Sequence, residues 1–129
     1  MATPKIPMRS SASGPHLDLQ ISYHLGVPLL YVKGELDHET ASQLRDVIDE
    51  ELEAGPSALL LEFSGLSYMD SGGLSLVFET LNRLKNKGWL GLVGANWPVS
   101  RLMEITALAE QPGLRVLPDL AAATEALRT

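Results

Sequence analysis

Short apolar runs alternate with amphipathic helical segments along almost the whole chain, and this alternation limits the fold more than any other feature. Leu17, Leu19 and Ile21 interleave with Asp18, Gln20 and Ser22, the period-two pattern of a half-buried strand. Gly26 and Pro28 mark a turn before a second short strand at 29–32, close enough to pair with the first as an antiparallel hairpin. Residues 34–37 then leave the sheet as a loop. A first helix is expected over 40–53, because Ala41, Leu44, Val47, Ile48 and Leu52 recur at spacings of three and four. Glu39, Arg45, Asp46, Asp49, Glu50 and Glu53 form its solvated remainder.

Gly55 and Pro56 break that helix, and 58–63 is a nearly continuous apolar run, expected as a buried central strand. A loop at 64–69 leads to a second helix over 70–87, with Leu74, Val77, Phe78, Leu81 and Leu84 as its apolar stripe. Lys85 and Lys87 suit the negative end of the helix dipole, and Gly88 stops the helix. A strand at 89–93 is followed by a turn at 94–96, with Asn96 as N-cap and Pro98 in the first turn of a third helix reaching about 109. Pro112 and Gly113 interrupt, 114–117 is a last strand, and Asp119 caps a final helix to 127. The order β-β-α-β-α-β-α-β-α implies one α/β domain over 16–129. Its mixed sheet is mostly parallel, with an antiparallel N-terminal edge strand. Residues 1–15, rich in Ser, Pro and Ala, read as a disordered tail.

Charge and composition narrow the function. The 129 residues carry a net charge of −6, which disfavours nucleic acid and anionic membranes and suits a basic or amphipathic protein partner. No apolar run approaches the roughly 18–20 residues of a membrane span, and no apolar core of a signal peptide follows Lys5 and Arg9. Cysteine is absent, which excludes disulfides and thiolate chemistry and agrees with a reducing compartment. The expectation is a cytoplasmic monomer.

Catalytic constellations fail. His16, His24 and His38 lack metal-ligand spacing. A nucleophile elbow at Ser71 would need glycine where Met69 stands. A triad of Ser71, His38 and Asp37 is poorly arranged, because adjacent Asp37 and His38 cannot readily align. No phosphate-binding loop or dinucleotide fingerprint is present. A phospho-aspartate receiver fits the alternation, but the acidic pair after its first strand and the lysine after its last are missing; the residues there are His24, Leu25, Gly26 and Pro118, Asp119. No enzyme activity, cofactor or metal is expected.

The segment Met69-Asp70-Ser71-Gly72-Gly73-Leu74 stands out. Asp70 or Ser71 can cap the second helix. Two glycines in its first turn disfavour helix by about 1 kcal/mol each in an interior setting. They either pack tightly on the sheet or leave bare backbone that another macromolecule approaches closely.

This segment, extended back through Leu66-Ser67-Tyr68 and taken with Gly34-Glu35-Leu36-Asp37, strongly resembles bacterial anti-sigma factor antagonists of the STAS-domain family. The likeness runs over about 17–127, with a further local match at 98–102. It implies a partner-switching cycle. The unmodified protein binds an anti-sigma factor and frees a sigma factor. The anti-sigma factor, as a serine kinase with its own ATP and Mg²⁺, phosphorylates Ser71, and a serine phosphatase resets the switch. Gly72 stands where many members carry a second hydroxyl, which leaves Ser71 as the local acceptor.

The expected partner-binding residues are Asp37, Asp70, Gly72, Gly73 and Leu76, with Glu35 and His38 as weaker candidates. Leu76 is included because it lies about 200° around the helix from Leu74 and so off the expected stripe. Asp37 is either a partner contact or a turn former capping the first helix, and Trp89 and Trp97 are expected to pack. The competing reading is a STAS scaffold subunit in which Ser71 is a cap and is never modified.

Overall fold

Alternating hydrophobicity at the N-terminus does build a hairpin: β1 (Leu17–His24) pairs antiparallel with β2 (Val27–Leu36) in the computed structural model, which describes residues 16–128. The expected tail at 1–15 lies outside the described residues. The turn is Leu25-Gly26, both at positive φ (52° and 82°), the two-residue connection that matches the twist of paired strands. Pro28 lies within β2, opposite Tyr23, rather than in the turn.

The chain continues through α1 (Ala41–Leu52), β3 (Ala58–Glu62), β4 (Leu66–Met69), α2 (Ser71–Leu84), β5 (Trp89–Val93), α3 (Trp97–Ile105), a 3₁₀ turn at Leu108–Glu110, β6 (Leu114–Leu117) and α4 (Leu120–Arg128). The sheet order is β1-β2-β3-β5-β6, with β4 also on β2. β3 pairs with Leu29–Tyr31 and β4 with Gly34–Leu36, so the two occupy successive stretches beside one strand. Every pairing except β1–β2 is parallel.

Helices α1, α2 and α3 pack on one face, where Leu30, Val32, Leu36, Leu59, Leu61, Leu90 and Leu92 meet Leu44, Ile48, Leu76, Val77, Val99 and Met103. On the other face, Leu120, Ala123 and Leu127 of α4 cover Val27, Leu29, Leu60 and Val93. Burying a leucine-sized side chain contributes about 1.5–3 kcal/mol, so the first, larger cluster dominates the hydrophobic stabilisation.

Several expectations are corrected. The second strand is longer than 29–32: β2 runs on to Leu36, so 34–36 belong to the sheet and not to a loop. The loop at 64–69 contains strand β4, hidden from a period-two reading because Leu66 and Met69, three apart, are both buried and the register shifts at Gly34/Glu35. The buried face of α2 is Gly73, Leu76, Val77, Thr80 and Leu84; Leu74 and Leu81 are half-buried and Phe78 is exposed. Thr80 is tolerated inside because its hydroxyl donates to the Leu76 carbonyl oxygen at 2.8 Å. Trp97 is 72% exposed and packs little. The second and third helices also end earlier than expected, at Leu84 and Ile105.

Leu25 is strained and solvent-facing. A non-glycine residue in the left-handed region costs roughly 1–2 kcal/mol, less for asparagine. Leu25→Asn is expected to raise stability by about 0.5–1 kcal/mol, measured as a higher urea midpoint with unchanged slope.

Candidate functional site

The carboxyl ends of β2 and β4 lie side by side, with Leu36 in register with Met69, where open parallel sheets commonly place ligand-binding loops. The loop after β2 is organised by Asp37. Its Oδ1 accepts from the N–H groups of Glu39 (2.9 Å) and Thr40 (2.8 Å). In return the Thr40 hydroxyl accepts from Asp37 N–H (3.0 Å) and donates to the Glu35 carbonyl oxygen (2.7 Å). The Ala41 N–H donates to the Asp37 carbonyl oxygen, so Asp37 begins the first helical turn in a reciprocal capping arrangement. The Thr40 N–H bond above all, with the Glu39 N–H and the nearby His38, holds the Asp37 carboxyl below the usual range against the opposing effect of burial. Of its two expected roles, the structure displays the turn former: the side chain is buried and its partners are internal.

The second loop leads from β4 into α2. Asp70 is the N-cap: its Oδ1 accepts from Gly72 N–H at 2.7 Å, and its own N–H donates to the Leu36 carbonyl oxygen at 3.2 Å. Ser71 therefore has no capping duty. It occupies the first helical position, its side chain is exposed, and its hydroxyl makes no hydrogen bond among the described residues. The remaining Asp70 oxygen, Oδ2, lies 3.5 Å from His38 Nδ1.

The two glycines face inward. A Cβ added to Gly72 would stand 2.5 Å from both Cα and N of His38; one added to Gly73 would meet Leu36 Cγ at 2.7 Å and the Leu36 carbonyl oxygen at 2.9 Å. This corrects the expectation of bare backbone offered to a partner. Gly73 is buried, and both residues let the helix mouth close on the loop after β2. Leu76 is likewise corrected: at 1% exposure it belongs to the core and cannot touch a partner. Glu35 is half-buried at the end of β2, in register with Tyr68, while His38 is exposed.

Two surface aromatics were not assigned to the site from sequence, where Tyr68 stood only within the motif and Trp97 was expected to pack. Tyr68, two residues before Asp70, is 49% exposed. Trp97 begins α3, whose cap Asn96 donates from Nδ2 to the Leu66 carbonyl oxygen at 2.6 Å and so ties that helix to the start of β4. The only available signal was position, since both residues flank loops at the same sheet edge. No group of three or more His, Asp or Glu side chains among the described residues is placed to hold a metal ion, and none of the described helices is long and apolar enough to cross a membrane.

The glycine packing is directly testable. Gly72→Ala gains about 1 kcal/mol of helix propensity but drives a methyl into unyielding backbone. The expected net effect is a loss of about 1–3 kcal/mol, seen in chemical denaturation.

This arrangement has close counterparts. The STAS domain family model matches residues 18–123. An anti-sigma F factor antagonist of Paenibacillus polymyxa is 30% identical over 95 residues, covering 72% of this chain and 81% of that protein. An anti-sigma-B factor antagonist of Staphylococcus aureus is 36% identical over 80 residues, covering 61% and 74%. The crystal structure of an anti-sigma factor antagonist from Mycobacterium paratuberculosis superposes with a TM-score of 0.80 at 26% identity, over 88% of this chain and 95% of that one. With the matched model spanning the sheet, α1, α2, α3 and both loops of the site, the chain belongs to the STAS domain family.

Proposed function

We propose that this chain is an anti-sigma factor antagonist whose binding is switched off by phosphorylation of Ser71. The observation that carries the reading is the exposed Ser71 hydroxyl, which makes no hydrogen bond among the described residues because Asp70 caps the helix beside it. The names of the similar proteins support the antagonist half of this reading.

In the unmodified state the mouth of α2 docks on an anti-sigma factor, which then releases its sigma factor. Exposed His38 and Tyr68 and half-buried Glu35 and Asp70 are the contacts on offer; Asp37 acts as a positioning residue that sets the loop carrying His38. The anti-sigma factor is also the serine kinase. Ser71 Oγ attacks the γ-phosphorus of the kinase's ATP, the bond to the ADP oxygen breaks, and the hydroxyl proton leaves to a base of the kinase. A serine phosphatase later hydrolyses the ester with water. The chain itself needs no cofactor and catalyses nothing. It works as a cytoplasmic monomer.

Phosphate adds about −1.5 to −2 charges. At the positive end of a 14-residue helix the fold accommodates them. At a closed interface the same charge, unpaired, costs several kcal/mol, and each ~1.4 kcal/mol is tenfold in affinity.

Incubation with the anti-sigma kinase of the same organism, ATP and Mg²⁺ is expected to add one phosphate, mapped to Ser71 and absent in Ser71→Ala. Calorimetry is expected to show at least about 100-fold weaker binding of the phosphoprotein, with Ser71→Ala binding like the unmodified chain. Equal binding of both forms would overturn the switch. An absence of modification would leave an unmodified interaction subunit instead.

A further inference from the structure

We propose that His38 is the partner of the phosphorylated state: its imidazole turns from Asp70 Oδ2 and pairs with the phosphate on Ser71. This rests on the phosphorylation reading above and adds to it the side chain that receives the phosphate.

Position comes first. The His38 backbone is pressed against Gly72, so close that no Cβ fits between them. The root of the imidazole is thereby fixed beside the residue following Ser71. The side chain is 79% exposed and free to reorient, and its present partner, Asp70 Oδ2 at 3.5 Å, lies on the residue preceding Ser71. Ser71 thus sits between the two residues that already engage His38.

Charge points the same way. Across 35–41 and 66–78, the segments that form the site, the titratable side chains are Glu35, Asp37, His38, Glu39, Tyr68 and Asp70. Four are acids, and His38 alone can become positive. The arginines of the neighbouring helices are engaged elsewhere: Arg45 with Glu79, Arg83 with Asp49, Arg101 with Glu104. Among the described residues of these two segments, a dianion built at Ser71 would find four acids and His38 as the side chain able to carry a positive charge. It outcompetes a single carboxylate oxygen for that cation, because Asp70 Oδ1 is already held by Gly72 N–H.

A phosphoserine loses its second proton near pH 6, and a cation held beside the phosphate favours the dianion and lowers that midpoint.

The test uses the full chain with phosphoserine incorporated at position 71 during synthesis, followed by ³¹P NMR between about pH 5 and 8. Removing the cation in His38→Ala is expected to raise the midpoint of the phosphate's second ionisation by about half a pH unit or more. His38→Lys is expected to keep it low. Coincident midpoints in the parent and His38→Ala, both folded by circular dichroism, would overturn the role of His38. The measurement does not depend on any kinase, so failure of the switch itself appears separately, as absence of enzymatic modification at Ser71.

Discussion

The closure of the α2 mouth on the loop after β2 is the contact on which the site depends. Gly72 and Gly73 remove the two side chains that would hold the helix away from His38 and Leu36, and the Asp70 N–H bonds the Leu36 carbonyl oxygen across the same seam. Once the backbones meet, Asp70 can satisfy Gly72 N–H with one carboxylate oxygen and turn the other toward His38. Ser71 is then left at the rim with no structural task. A helix with poor intrinsic propensity in its first turn is accepted here because tertiary packing supplies the stabilisation.

Much of the fold was legible. Strands with clean alternation or a continuous apolar run, at 17–24, 58–62 and 89–93, were found because a single period describes each. β4 was hidden because it is short, bulged and buried at both ends. The buried face of α2 was misassigned because two of its positions, Gly73 and Thr80, do not register as apolar, although a missing side chain and a self-satisfied hydroxyl both pack well inside. Counting only large apolar residues favoured the neighbouring face and placed Leu76 outside.

The candidate site was legible in location and only partly in role. The Asp-Ser-Gly-Gly run marked a helix mouth with unusual constraints, and Ser71 is exposed there. Which residue caps, which way the glycines face and whether Asp37 points outward depend on distances between segments some 35 residues apart, which no local pattern encodes. Leu36 and Met69 lie in register across that gap, and this pairing brings the two loops together. Among the described residues of the two loops, it gives one acidic rim in which the helix dipole and His38 are the positive features.

The central claim is that Asp70, and not Ser71, holds the start of α2, so that the serine is free to be esterified without cost to the fold. Equilibrium unfolding of Ser71→Ala and Asp70→Ala tests it most directly. The structure predicts that Asp70→Ala loses about 1–2 kcal/mol while Ser71→Ala stays within about 0.5 kcal/mol of the parent chain. A loss at Ser71 equal to that at Asp70 would make the serine a structural cap and contradict the account.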